Sequence, residues 1–146
     1  MRLVVDTSVL VGELLRVQGR ERLGDERLEL FLAEQMWGEV QRELPRRVAA
    51  FARRRDIVRD SAETLVRLCL EAIETNLAVV DEAVYAALED EARARSLRDP
   101  RDWPLVACAL LLDAGVWTND NDLLGTGIPT WTTESLRSWL DRNPEA

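Results

Sequence analysis

The sequence predicts an α/β fold built around a mostly parallel sheet with helices on both faces. Two observations carry that prediction. Short β-prone runs, RLVV at the start, LAVV at Leu77–Val80 and VWT at Val116–Thr118, are each separated from the next by one or more stretches of helical period. No internal repeat, low-complexity tract or Gly/Ser/Pro-rich linker divides the 146 residues, so they are expected to form one domain, 1–146, long enough to bury a real core.

The elements follow in order. RLVV reads as a buried strand that ends at Asp6-Thr7-Ser8, a polar cluster suited to capping the helix VLVGELLRV. Leu28–Ala33 reads as a strand from the alternation of Leu28, Leu30 and Leu32, with the start of a helix as the alternative. From Glu34 the period is helical, with Met36, Val40 and Leu44 four apart, and Pro45 is expected to interrupt or kink it. Helix resumes over Arg46–Arg59. Another spans Ser61–Thr75, with Ser61 as N-cap and Leu65, Leu68 and Ala72 on one face. After the brief strand Leu77–Val80, Glu82–Arg95 is helical and Ser96–Arg101 is a polar loop. Asp102–Ala114 is a buried helix, with Pro104 in its first turn and Gly115 closing it. VWT, the turn NDND, a last strand PTWT and the helix TESLRSWLDR complete the chain. The five tryptophans fall mostly at helix or strand positions and are expected in the core, with one or two left for a partner surface.

Composition narrows the chemistry. The chain has no His and no Lys, and all 19 basic residues are Arg. Ser-His-Asp triads, imidazole bases and ordinary zinc sites lack their imidazole, and phosphate-loop or Schiff-base mechanisms lack their ammonium. Carboxylates, arginines and hydroxyls remain, a donor set suited to oxygen-loving Mg²⁺ or Mn²⁺. The net charge of −8 argues against coating nucleic acid by bulk electrostatics but leaves room for a local basic groove. Cys69 and Cys108 sit in apolar helical segments and read as buried free thiols. The longest apolar runs are too short to span a bilayer, and the N-terminus lacks the form of a signal peptide, so a cytoplasmic protein is expected.

In an open parallel sheet, ligands bind beyond the carboxyl ends of the strands. Asp6 ends the first strand and Asp120 follows VWT, so both acids lie at that edge. Glu39, on the helix after the second strand, and Asp102, opening the apolar helix, are candidates to join them; Asp99 competes with Asp102. Taken singly, each has a plain structural alternative: a helix cap, a solvated glutamate, a dipole-facing acid or a turn residue. Taken together, four carboxylates around one point would repel one another unless a divalent cation neutralised them.

The motifs VVDTSVL, GEV, DPRDWPLVACAL and WTNDND, in that order, resemble a PIN domain over most of the chain. The resemblance implies an α/β/α sandwich and a Mg²⁺- or Mn²⁺-dependent ribonuclease acting on single-stranded RNA. It also implies a VapC-like toxin, with a possible antitoxin partner and a homodimer. The implied catalytic set is Asp6, Glu39, Asp102 and Asp120, with Asp122 joining Asp6, Asp102 and Asp120 around the metal and Thr7, Ser8 and Thr118 in support. Leu123 stands where the toxin branch carries an aromatic residue, so the resemblance to a PIN ribonuclease is closer than that to a toxin. Arg46, Arg47, Arg53, Arg54 and Arg55 are the candidates for holding the RNA backbone. A non-catalytic PIN-like protein-interaction module is the alternative reading. An aspartyl-phosphate phosphatase or receiver domain fits less well, because those chemistries rely on a lysine and, for the phosphatase, a second acid where Ser8 stands.

Overall fold

The computed structural model describes residues 1–144. Five parallel strands form one sheet in the order β3-β2-β1-β4-β5. They are β1 (Arg2–Val5), β2 (Glu29–Ala33), β3 (Leu77–Val80), β4 (Gly115–Trp117) and β5 (Thr130–Trp131). Helices cover the sheet in the α/β/α arrangement expected. The central strands β1 and β2 are almost wholly apolar and buried, as a parallel sheet covered on both faces requires.

The chain advances from β1 outward to β2 and β3, then returns to the other side of β1 for β4 and β5. The direction of winding therefore reverses between β1 and β4. A crevice opens at such a switch point, beyond the carboxyl ends of the two strands.

The helices are α1 (Thr7–Leu14), α2 (Val17–Leu23), α3 (Glu34–Arg54), α4 (Arg59–Asn76), α5 (Glu82–Tyr85), α6 (Glu89–Arg95), α7 (Trp103–Leu112) and α8 (Thr133–Arg142). α7 is buried nearly all round, from Trp103 to Ala109, and packs on β1, β2 and β4. Its start is fixed by Trp103, whose ring lies 5.8 Å from that of Tyr85 and 5.4 Å from the Arg93 guanidinium. Cys69 and Cys108 are buried free thiols, and burial pushes them up to about 11 and about 12.

Several local expectations are corrected. Pro45 does not end α3, which runs on to Arg54. Pro45 and Gln41, whose carbonyl loses its helical donor, are both exposed, so water can satisfy that carbonyl. The helical run expected over Arg46–Arg59 stops at Arg55, beyond which Asp56 takes a left-handed φ of 51°. Val58, not Ser61, occupies the N-cap of α4, whose core face is Cys69 and Ile73; Leu68 points to solvent. Glu82–Arg95 is helical in three pieces, α5, a 3-10 turn at Ala86–Leu88, and α6. Asp113, with φ of 48°, closes α7 in place of Gly115, which already belongs to β4. The helix expected over VLVGELLRV ends at Leu14, and α2 begins three residues later. Of the tryptophans, Trp103 and Trp117 are buried in the core, while Trp37, Trp131 and Trp139 are half-buried at its margin.

α2 turns back against α1 because Gly19 lies directly on the backbone of Glu13, and Arg22 pairs with the buried Glu13 carboxylate. A Cβ at residue 19 would stand 2.1 Å from the Glu13 carbonyl oxygen. Gly19→Ala is expected to destabilise the chain by about 1–3 kcal/mol through overpacking, measured as a lower urea midpoint with an unchanged slope.

Candidate active site

The site forms where β1 and β4 end together. The Asp6 backbone N–H donates to the Trp117 carbonyl at 3.0 Å, one step past the Val5↔Trp117 pair. Asp6 occupies the N-cap position of α1, yet its side chain makes no capping bond. Its Oδ2 instead accepts from Thr118 Oγ1 at 2.8 Å and from Ser8 Oγ at 3.2 Å. The expected cap is thus a carboxylate turned across the strand ends, and its partners Thr118 and Ser8 are two of the three predicted supporting hydroxyls.

Thr118, fully buried, joins two of the acids. Its hydroxyl oxygen donates to Asp6 and accepts from the Asp120 backbone N–H at 3.0 Å. Asp120 then accepts from the Asp122 N–H at 2.8 Å, capping a 3-10 turn over Asn121–Leu123. Asn119 ties this turn to α8, accepting from Thr133 N at 3.0 Å. Asn119 was not among the predicted residues; a side-chain amide at the head of a turn was the one signal available for it. The exposed Asp122 carboxylate lies 3.7 Å from Arg98.

Asp102 precedes α7, close to the same crevice. Burial pushes its carboxyl up to about 6, and the negative charges of Asp99, Asp6 and Asp120 push in the same direction, against the weaker pull of Arg101. Asp6, Asp102 and Asp120, from separate parts of the chain, therefore share one electrostatic neighbourhood. Asp99 is otherwise engaged: it accepts from the Arg101 backbone N–H, Nε and Nη2 at 3.0, 2.9 and 2.8 Å, which holds its carboxyl below the usual range.

Glu39 comes from the second turn of α3, exposed, and accepts from Thr7 Oγ1 at 3.1 Å. That bond links α3 to the start of α1 beside Asp6. The five predicted RNA-binding arginines lie farther along, over the last turns of α3 and its C-cap. Arg47 is already ~12 Å from Glu39 at the helical rise.

A protein-family model, the PIN domain, matches residues 4–141, nearly the whole chain and every residue of this constellation. The chain belongs to the PIN domain family. No curated protein matches its sequence significantly. Membership points to a nuclease-type function, with RNA as the kind of ligand and divalent metals as the kind of cofactor. Among the described residues, no helix is long and apolar enough to cross a membrane.

The side chains of this PIN domain present only oxygen donors to the crevice, which suits Mg²⁺ or Mn²⁺. Among the described residues, no three carboxylate or thiol groups are gathered tightly enough to form a complete ligand cage. Mg²⁺ tolerates that openness, because it keeps several waters and takes only one or two carboxylates directly. Mutual repulsion of three acids that form no salt bridge among the described residues is the feature a cation would relieve.

The raised Asp102 carboxyl has a pH signature. Without metal, the unfolded chain releases that proton near 3.8 and the folded chain near 6, so between these values the folded state binds more protons. Stability is therefore expected to fall as pH rises from about 4 to about 6, and to fall less in Asp102→Asn. Thermal melts of both proteins across that range, in chelator, measure the difference.

Proposed function

We propose that this PIN domain is a divalent-metal-dependent endoribonuclease that hydrolyses phosphodiester bonds of single-stranded RNA. The observation that carries the proposal is the hydrogen-bonded relay Asp6–Thr118–Asp120 where β1 and β4 end at the switch point, with Asp102 near enough to feel the charge of both acids. Such repulsion is costly in a site with no ligand to neutralise it and useful in one that binds a cation next to phosphate.

Asp6, Asp102 and Asp120 hold the metal directly or through water, with Asp122 behind Asp120 through the backbone bond to its carboxylate. A bound Mg²⁺ or Mn²⁺ supplies Lewis acidity toward a phosphoryl oxygen and toward water. Thr118 and Ser8 keep Asp6 turned toward the strand ends, by donating to the same oxygen and leaving Oδ1 without a donor among the described residues. Glu39, exposed and steadied by Thr7, accepts a hydrogen bond from the attacking water and orients it toward phosphorus. Loss of the proton from Asp102, near pH 6 without metal, prepares that carboxylate for its role. A subset of the α3 arginines holds the backbone without reading sequence.

In the finer reading the chain is the toxin of a toxin–antitoxin pair, works in the cytoplasm as a homodimer and is silenced by an antitoxin. Half-buried Trp131 and Trp139, stacked edge-to-face at 6.4 Å beside the short edge strand β5, support a partner surface there.

Asp6→Asn and Asp120→Asn should each lower Mn²⁺-dependent cleavage of a single-stranded RNA by at least about 100-fold, comparable to losing one preorganised catalytic group, with circular dichroism unchanged. A folded Asp6→Asn protein that cleaves at the normal rate would sink the assignment. Thr118→Val removes a buried donor while keeping shape; it should cost about 1–3 kcal/mol of stability and lower kcat more than it raises KM. Chemical denaturation and steady-state kinetics check both effects.

A further inference from the structure

A substantial cleft lies away from the carboxylates. It has a volume of about 730 Å³ and lies where α1 gives way to α2, against the last turns of α3. Arg16, Arg47, Arg54 and Arg55 line it, with Phe51 and Leu15 as apolar surface. Among the described residues, none of these four arginines forms a salt bridge, although acids outnumber bases in the chain by 27 to 19. Nine other arginines do find carboxylates. Four unpaired guanidinium groups around one concavity repel one another and attract an anion.

The position of the cleft says which anion. Glu39, Glu43, Arg47, Phe51 and Arg55 recur every four residues, and so form one continuous ridge along α3. The ridge begins at Glu39, hydrogen-bonded to Thr7 of α1, and ends in the cleft, beside the residue that follows α1. The seam between α1 and α3 thus connects the carboxylate crevice to the arginines over ~12–24 Å of helix. Arg46 and Arg53 lie roughly on the opposite side of α3 from the core and do not line the cleft.

We propose that this cleft is a second subsite for the same RNA strand, binding backbone phosphate several nucleotides away from the scissile bond. It rests on the nuclease reading above and corrects the set of arginines expected to hold RNA. Arg16, Arg47 and Arg54 bind phosphate. Phe51, with the Arg55 guanidinium 4.1 Å from its ring centroid, offers a stacking platform for an unpaired base. Glu43 separates the two ends of the seam, so the strand is held at the metal site and at the arginines and not between them. A single strand suits the seam because bases must be unpaired to reach Phe51.

The test uses the full chain carrying Asp102→Asn, so that RNA is bound and not consumed. Fluorescence anisotropy is followed with a labelled single-stranded RNA of about twelve nucleotides, within the usual range of site sizes, and with a labelled dinucleotide. Adding Arg47→Ala and Arg54→Ala should weaken binding of the longer RNA at least about tenfold. It should flatten the plot of log affinity against log salt by about 0.7 for each phosphate that is no longer neutralised, and leave the dinucleotide unaffected. Arg46→Ala with Arg53→Ala should change neither. Unchanged affinity in the Arg47/Arg54 variant, or an equal loss in the Arg46/Arg53 variant, overturns the subsite. A polyglutamate peptide that binds through Arg47 and Arg54 while the RNA does not would assign the cleft to an acidic protein segment and overturn it equally. Arg47-dependent RNA binding in an otherwise unsubstituted chain that never cleaves RNA would remove the nuclease reading, and with it the scissile bond, and overturn the subsite as stated while leaving the cleft an RNA-binding one.

Discussion

The pairing of β1 with β4 is the constraint on which the rest depends. Three residues on each strand, Leu3, Val4 and Val5 against Gly115, Val116 and Trp117, bring together parts of the chain more than a hundred positions apart. The approach is close: a Cβ on Gly115 would lie 3.1 Å from Leu3 Cδ2 and 3.0 Å from the Pro129 carbonyl oxygen. One residue beyond this ladder stand Asp6 and Thr118, and their side chains bond at 2.8 Å. A parallel register carries both strands out of the core at the same edge, so the polar residues that end them meet without any loop having to reach. The strand order then places that meeting at the reversal of winding, the position where open parallel sheets bind their ligands.

The crevice holds unlike pressures. A hydroxyl with no exposure, Thr118, binds one acid and the backbone of another. α7, anchored by Trp103 between Tyr85 and Arg93, holds Asp102 half-buried beside their charges. A chain selected for stability alone would replace one of these acids, since each buried like charge raises the free energy of the ionised site. Local rules are broken where chemistry is done. Asp6 at an N-cap that does not cap and Asp102 with its carboxyl pushed up to about 6 are the two breaches.

α3 joins the two electrostatic regions. Its first turns deliver Glu39 to Thr7, its buried stripe of Met36, Val40, Leu44, Val48 and Ala52 fixes its rotation, and its last turns carry arginines that form no salt bridge among the described residues. Because Pro45 faces solvent, the helix remains continuous and the same ridge runs from acid to base. An interruption at Pro45 would have separated the arginines from the crevice in both distance and direction.

The strands and the main helices were legible in the sequence, because the apolar period of RLVV, LELFLA and the α7 segment is a local property of consecutive residues. So was the burial of Cys69 and Cys108 as free thiols, since each lies in an apolar helical run. Helix ends were less legible: Pro45, Ser61 and Gly115 each carried a boundary signal that exposure, a neighbouring turn or a left-handed Asp113 displaced. Asp6, Glu39, Asp102 and Asp120 were nameable as candidates, but whether their charges meet depends on strand order, which no local pattern encodes. The arginines show this most clearly. Five in one stretch looked alike in sequence, and only the rotation of α3 against α1 decided which of them, with the distant Arg16, face one cleft. Local sequence determines the period and chemistry of each element; the packing of elements far apart in the chain decides which side chains share a space.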